Sequence, residues 1–352
     1  MCPGNSNEVC RCRANLPILS VEVIHMDTTT WPSGESAADT VWDSVIVGGG
    51  AAGLSAGIVL ARARFATLVV DGGAPRNGPA DHMHGYLTRD GMAPKEFLAT
   101  GQEEFTRYGG NLMRAAVTDV RPAEDGVFEL RLDDRRVLRT RSTLVATGLT
   151  DELPGVPGLS AGWASLVHHC PHCHGYEVRG RAVAVIGSPM APHSAHLAAL
   201  MRRYSPSVTF CVNGAEIDTA GRGRLAAYGV RLIDARVSRV VTTAGEAAPV
   251  LIELGDGGAV PCEAIFVGTR PVPHDALLTA LGADRDPVGG LVSVDAAGAT
   301  SIEGVWAAGN VVNPRAQVVA AAGAGCTAGI AMTSWLLDRE LSAAVFGNGG
   351  AS

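Results

Sequence analysis

Cys170-Pro171-His172-Cys173 is the stretch of this chain best suited to chemistry. Two cysteines with two residues between them can close a small disulfide ring and reopen it by thiolate attack. The thiolate, not the thiol, is the reactive form, and at the start of a helix free backbone N–H groups and the helix dipole stabilise the first one. Histidines crowd the motif, with His168 and His169 before it, His172 inside it and His174 after it. A histidine titrates near neutrality and is suited to take protons from thiols. Such a pair passes electrons between thiols and a second redox centre, so the rest of the chain must supply that centre.

The elements that hold it begin with Ser44-Val45-Ile46-Val47, a short buried strand, followed directly by Gly48-Gly49-Gly50-Ala51-Ala52-Gly53. Leu54 to Arg64 carries helical periodicity, and Ala66 to Val70 reads as a second strand ending at Asp71. This is a strand–loop–helix–strand unit with GxGxxG and an acid about 20 positions on, the pattern of a dinucleotide site. Gly48 permits the turn, Gly50 lets a pyrophosphate approach the backbone, and Gly53 lets the helix lie against the strand. The first N–H groups of the helix bind phosphate, and Asp71, with Gly72 beside it, accepts from a ribose hydroxyl. Ser142 to Gly148 is another buried strand, ending in Ala146-Thr147-Gly148.

Composition sets the class. A chain of 352 residues can hold two domains with proper cores. Hydrophobic content of 47%, charged content of 18% and 44 glycines indicate an α/β protein with many tight turns; with 5% aromatics, small side chains must do most of the packing. Lys+Arg 28 against Asp+Glu 35 gives net charge −7, which argues against nucleic-acid and acidic-membrane partners. No uninterrupted apolar run reaches spanning length; the longest candidate, Val318 to Met332, is mostly Ala and Gly, contains Thr327 and reads as a tightly packed helix. Cys211, Cys262 and Cys326 sit among apolar neighbours and read as small buried hydrophobes. Met1 to about Thr40 reads as a disordered leader, or as an artefact of start-site choice with Met26 the true start. Glu22 interrupts its apolar piece, which argues against a signal peptide, so the expected location is cytoplasmic. Its Cys2, Cys10 and Cys12 lack a paired second half, and no metal site is expected.

Near the C-terminus, Gly304-Val305-Trp306-Ala307-Ala308-Gly309-Asn310 precedes Gln317 and a small-residue helix. With the two glycine-marked strands and the CxxC, the chain resembles the thioredoxin-reductase group of FAD-dependent disulfide oxidoreductases from about Val41 to Leu341. The resemblance implies an α/β fold of two Rossmann-like, three-layer (ββα) dinucleotide-binding domains. Residues 41–150 and 271–342 would form a discontinuous FAD domain, and residues 151–270 an inserted, CxxC-bearing domain of the NADPH type. Leu153-Pro154 and Thr269-Arg270-Pro271 would be the crossing strands. It further implies that Gly48, Gly50, Ala51, Ala52 and Gly53 hold the pyrophosphate and that Asp71 holds the adenosine ribose. Val117 would meet adenine through its backbone, while Gly309 and Asn310, where Asp is the familiar residue, would hold the ribityl-phosphate end. Gln317 and Val318 would lie near the ring, and Arg76, Asn77 and His84 fill the loop that touches it; His84 reads equally as a turn-stabilising residue.

The second nucleotide loop departs from that pattern. Arg181 to Ile186 is a good strand, but Gly187-Ser188-Pro189-Met190-Ala191-Pro192-His193 follows, with one glycine and two prolines that offer a phosphate no N–H. The next strand, Ser207 to Val212, ends at Asn213-Gly214, with neither an acid for a 2′-hydroxyl nor an arginine pair for a 2′-phosphate. This domain reads as kept for architecture and emptied of its cofactor. Electrons must then come from a thiol substrate, and dioxygen is the simplest acceptor. Cys170-Pro171-His172-Cys173-His174-Gly175-Tyr176-Glu177, preceded by histidine, is similar to the dithiol oxidases of the gliotoxin and holomycin pathways. That branch implies closure of a disulfide in a small-molecule natural product, reduction of O₂ to H₂O₂, and a homodimer.

In that branch Cys173 sits under the flavin and Cys170 faces the substrate, with His169 the first choice of base and His168, His172 and His174 as substitutes. Asn310 or Asn313 would orient the base. Two other readings stand beside it: an NADPH-dependent disulfide reductase, and a non-catalytic flavoprotein that binds a reactive dithiol and protects its producer. High Ala, Arg and Gly usage favours a bacterial dithiolopyrrolone of the holomycin kind as substrate.

Overall fold

The structure, a computed structural model, describes residues 40–124, 126–242 and 250–348; the readings on Cys2, Cys10, Cys12 and Met26 lie outside them. The strand Val41–Val47 is the axis of the first sheet, flanked in parallel by Thr67–Asp71 and Val137–Val145. Its Val45 and Ile46 are fully buried, as a parallel strand covered on both faces requires. Asn111–Arg114 extends the sheet beyond Thr67–Asp71, and Val305–Ala307 pairs in parallel with Val137–Val145. Phe128–Leu132 and Val117–Pro122 continue it as an antiparallel meander.

The second sheet is wholly parallel, in the order Val230–Ile233, Ser207–Cys211, Ala182–Ile186, Ala264–Val267, Val167–His168. A three-stranded antiparallel sheet, Val237–Thr242, Val250–Leu254 and Ala259–Cys262, packs into the same core. The chain passes between the two sheets on an antiparallel ribbon of Leu149–Glu152 against Arg270–Pro273, with Leu149 opposite Pro273 and Glu152 opposite Arg270. Leu153-Pro154 lie just past the ribbon rather than in it. Cys211 and Cys262 are buried in the core of the second sheet, and burial pushes their thiols up to about 11 and about 12, which leaves them inert.

The first core is closed by small residues. The helix Ala51–Arg62 lies against the C-terminal helix Val318–Asn348, with Ala52, Ala56 and Leu60 facing Ala321, Ala328, Met332 and Leu336. A Cβ on Gly325 would strike the Ala52 carbonyl, and one on Gly329 would stand 2.9 Å from the Ala56 carbonyl oxygen. Backbone-to-backbone approach replaces the large side chains that the chain lacks.

The C-terminal helix corrects one sequence reading. It runs on past Met332 through Trp335 and Leu341, and its Val318–Val345 span is long and apolar enough to cross a membrane by length and composition, though part of it is buried against the rest of the chain. The apolar run is broken by Thr327, Thr333 and Ser334 in the sequence, but helical continuity carries it across them.

Gly325→Val is expected to destabilise the protein by ~1–3 kcal/mol, because the side chain must separate two backbones. Gly323→Ala, where a Cβ meets nothing within 4 Å, should be neutral or stabilising by about 0.5–1 kcal/mol. Chemical denaturation of both variants checks the pair, and an unaltered midpoint in Gly325→Val would contradict the close helix contact.

Candidate functional site

The strand Val41–Val47 delivers the chain into a tight loop. Gly48 has φ +108°, and a Cβ there would strike the Ala146 carbonyl; one at Gly53 would strike the Gly48 carbonyl. Gly50 is the residue before the helix Ala51–Arg62, extended at φ −77°, ψ −173°, with no side chain capping the first turn. A Cβ on Gly50 would meet nothing within 4 Å, so the backbone there faces open space beside the helix N-terminus. That is the cradle a pyrophosphate needs, and the residues fit the phosphates of FAD. Asp71 Oδ1 accepts the Gly49 N–H at 3.0 Å, which fixes the carboxylate beside the loop. Gly309, at φ +79°, packs its Cα side on Ala52, where a Cβ would stand 3.0 Å away.

The remaining predicted cofactor residues are placed as follows. Nothing lies within 4 Å of where a Cβ of Gly72 would stand, while the Arg114 guanidinium covers Gly73. Arg114 has no motif around it, and its place beside the loop after Asp71 comes only from the parallel pairing of Thr67–Asp71 with Asn111–Arg114. Val117 starts the outermost strand, packed on the core. Ala146 donates to the Val47 carbonyl at 2.8 Å, and Thr147 Oγ donates to the His274 carbonyl at 2.8 Å. Gly148 follows with φ +73°, and Asn77 lies in the turn that closes on Ala80.

Cys170 and Cys173 are joined as a disulfide with their Cα atoms 5.3 Å apart. The expected helix after Cys170 is a single turn, Pro171–His174, so its dipole is far smaller than that of a full helix. Cys170 is 7% exposed, and Cys173 is the more open of the two. The Gln317 side chain spans them: Nε2 donates to Cys170 Sγ at 3.6 Å, and Oε1 lies 3.4 Å from Cys173 Sγ. Gln317 immediately precedes Val318, the first residue of the C-terminal helix. Asn310 organises its approach, donating from Nδ2 to the carbonyls of Asn313 and Ala316, both at 3.0 Å. Asn313 Oδ1 accepts the Arg315 N–H at 3.2 Å. Both asparagines thus shape the loop that presents Gln317, and their bonds among the described residues go to that loop and not to a histidine.

Each histidine of the motif has a distinct setting. His168 is buried, stacks on His174 at 4.4 Å between ring centroids and tilts against Phe266 at 5.4 Å. Burial, with His174 and His169 nearby, pushes its pKa down to about 3. His169 stacks on Trp163 at 5.5 Å; burial pushes it down to about 4, against the pull of Asp151. Burial also lowers His174, with Glu177 opposing. Among the described residues the Nδ1 atom of His168 is buried without a hydrogen-bond partner. His172 is exposed. At neutral pH His168 and His169 are therefore uncharged, and the lowered pKa makes each a weaker proton acceptor than a free imidazole.

Two contacts tie this segment to the first sheet. Arg76 grips Asp151 of the crossing ribbon through Nε at 2.7 Å and Nη2 at 2.9 Å, and donates from Nη1 to the Pro314 carbonyl at 3.1 Å. His84 Nδ1 lies 3.4 Å from Asp90, which also accepts the Gly85 N–H, and His84 Nε2 lies 3.5 Å from Glu177. The turn-stabilising reading of His84 and a bridge to the CxxC segment coexist in one side chain.

In the second sheet the loop after Ile186 is folded on itself. The Met190 N–H donates to Ser188 Oγ at 3.2 Å, the Ala191 N–H to the Ser188 carbonyl at 3.0 Å, and the Ser194 N–H to the Ala191 carbonyl at 3.0 Å. Pro189 and Pro192 supply none. Ala191 is fully buried, packed where a Cβ on Gly268 would go. Asn213 is buried in the left-handed region at φ 47°, with Nδ2 on the Gly187 carbonyl and Oδ1 on the Val237 N–H. The Met190, Ala191 and Ser194 N–H groups are taken up within the loop, and Pro189 and Pro192 have none to offer a pyrophosphate.

The family model for pyridine nucleotide-disulphide oxidoreductases matches residues 42–325. A thioredoxin reductase, sirT of Leptosphaeria maculans, is 28% identical over 86% of this chain and 97% of its own. The thioredoxin reductase tcpT of Claviceps purpurea is 30% identical over 88% of this chain and 99% of its own. The crystal structure of HlmI superposes with a TM-score of 0.83 at 42% identity, covering 89% of this chain and 98% of that one. The likeness read from the residues holds, and the fold is thioredoxin-reductase-like. With its two parallel sheets, its glycine loop and its CxxC disulfide, the chain belongs to the pyridine nucleotide-disulphide oxidoreductase family.

Proposed function

We propose that the protein is an FAD-dependent dithiol oxidase that closes an intramolecular disulfide in a small-molecule natural product and reduces O₂ to H₂O₂. The observation that carries this reading is the second nucleotide loop, in which two residues are prolines and three N–H groups are bonded internally, while the CxxC of the same domain is intact. A protein with a thiol-exchange centre and no nicotinamide cradle draws its electrons from thiols. The likeness to HlmI and to relatives such as sirT and tcpT supports a disulfide-forming natural-product oxidoreductase, and we propose for it a substrate with two thiols, of the dithiolopyrrolone kind.

The chain's own residues divide the work as follows. A substrate thiolate attacks Cys170, the bond between the cysteines breaks, and Cys173 leaves as a thiolate. The second substrate thiol, once deprotonated, attacks the mixed disulfide at the substrate sulfur and releases the cyclic product and Cys170. We assign the thiol proton to His169: burial disfavours its imidazolium, and the neighbouring Asp151 carboxylate opposes that and favours the imidazolium that forms. The glycine loop, Asp71 and Gly309 would hold FAD, which would supply a two-electron acceptor for the enzyme dithiol and a donor to dioxygen; Cys173 and Gln317 are the side chains proposed to meet it. The exposed Ile330, Leu337, Leu341 and Val345 of the C-terminal helix are the surface through which we expect a homodimer to form, in the cytoplasm.

Millimolar NADPH or NADH is expected to leave the bound flavin oxidised in anaerobic stopped-flow, whereas bleaching on a catalytic timescale would restore the reductase reading. His169→Ala should slow dithiol turnover by about 100-fold at pH 7, the scale of a lost general base. His169 is already neutral above about pH 4, so this loss does not come from its titration. The defect should shrink toward pH 8.5, where a thiol ionises without help. Equal impairment across that range, read from initial rates, would move the base role to another histidine. Cys173→Ser and Cys170→Ser should each abolish flavin reduction by dithiol.

A further inference from the structure

A thiol–thiolate pair needs one hydrogen bond given and one taken, and the usual sources of the first are weak here. The helix after Cys170 is one turn long, and its first residue, Pro171, has no N–H. The nearby titratable groups are His168, His169, His172 and His174 on the same segment. Asp151 and Arg76 stand at the crossing ribbon, and Glu177 and His84 beyond the turn. His168 and His169 are neutral at pH 7, with pKa values pushed down to about 3 and about 4, and Arg76 is neutralised by Asp151. Gln317 is the side chain whose hydrogen-bonding atoms reach both sulfurs among the described residues.

An amide suits the reduced pair better than the oxidised one. In the disulfide neither sulfur has a proton, so Oε1 faces a sulfur that gives it nothing, and Nε2 donates to a weak neutral acceptor. Reduction takes two electrons and, at neutral pH, one proton, and leaves one S–H and one S⁻. As placed, the amide donates Nε2–H to a Cys170 thiolate and accepts the Cys173 S–H at Oε1; with the charge on Cys173, a half-turn of the amide about its last bond provides the same two contacts. Donation to a charged acceptor is roughly twice as strong as to a neutral one.

We infer that Gln317 is a positioning residue that makes the Cys170–Cys173 disulfide a stronger oxidant, by holding the thiol–thiolate pair that its reduction creates. The inference rests on the proposed oxidase reading for its purpose, since drawing electrons from a dithiol favours an oxidising centre, but its geometry stands without it. Asn310, which fixes the loop through Asn313 and Ala316, becomes part of the same device by setting where the amide lies.

The test uses the flavin-loaded protein, equilibrated anaerobically in glutathione buffers, with thiols trapped by alkylation and counted by mass. Two glutathione thiols supply the electrons and close to glutathione disulfide, and one proton is released to solvent for each thiol–thiolate pair formed. In Gln317→Leu the exchange constant should shift about tenfold toward the disulfide, which is about 30 mV. The alkylation rate of the reduced protein should need about one pH unit more to reach half its maximum. Gln317→Glu keeps the acceptor, loses the donor and adds repulsion, so its shift should be larger in the same direction. Exchange constants within threefold of the parent in both variants, with flavin retained or lost, would overturn the inference. No dithiol metabolite or O₂ enters this measurement, so failure of the oxidase reading would leave its result intact.

Discussion

The grip of Arg76 on Asp151 is the constraint on which the site depends. Asp151 lies on the ribbon through which the chain crosses between its sheets, with 6% of its side chain exposed. Burial alone would raise its carboxyl. The hydrogen bond from Arg76, the neighbouring His169, the Arg76 charge and the Thr269 hydroxyl outweigh burial and hold it below the usual carboxylate range. A paired, hydrogen-bonded charge at this place is costly to break, on the order of 3–5 kcal/mol for a buried pair. The same guanidinium bonds to the Pro314 carbonyl, three residues before Gln317. One side chain therefore joins the ribbon, the loop under the disulfide and the first sheet.

From that grip the chemistry follows in order. The ribbon fixes how the second sheet faces the first, and the CxxC turn comes to rest against Gln317. His84 and Glu177 add a second, weaker tie on the far side of the turn. His168, His169 and His174 are packed among Trp163, Phe266 and one another, and that burial lowers their pKa values. The loop of the second sheet bonds three of its N–H groups internally and has two prolines. Under the proposed oxidase reading, a domain that in a reductase would bring reducing equivalents serves to carry the cysteines.

Local pattern and long-range contact were not equally legible. The glycine loop, the strand into it and Asp71 were plain, because a phosphate cradle demands glycine at fixed spacing and the acid lies at the end of the next parallel strand. The prolines of the second loop were equally plain, since a missing N–H is a property of the residue itself. The helix after Cys170 was overread: Pro171 suits a first turn, but Gly175 and the chain beyond it do not continue the helix. Arg76 was expected at the ring; the structure places its guanidinium on Asp151, 75 positions away in sequence. The contact of Gln317 with both sulfurs spans 144 and 147 positions, and no local pattern encodes it. The long C-terminal helix was underread because its Thr and Ser positions look like breaks until the helix is seen to continue.

In the proposed function, electrons enter from a dithiol and need no nicotinamide. The direct measurement is aerobic incubation of the purified protein with a panel of reduced small-molecule dithiols and no added cofactor, followed by mass spectrometry and peroxide assay. The account predicts a product two hydrogens lighter than its substrate, with one H₂O₂ formed per disulfide closed. Turnover that appears only when NADPH is supplied, or flavin that stays oxidised with every dithiol under anaerobic conditions, would contradict it.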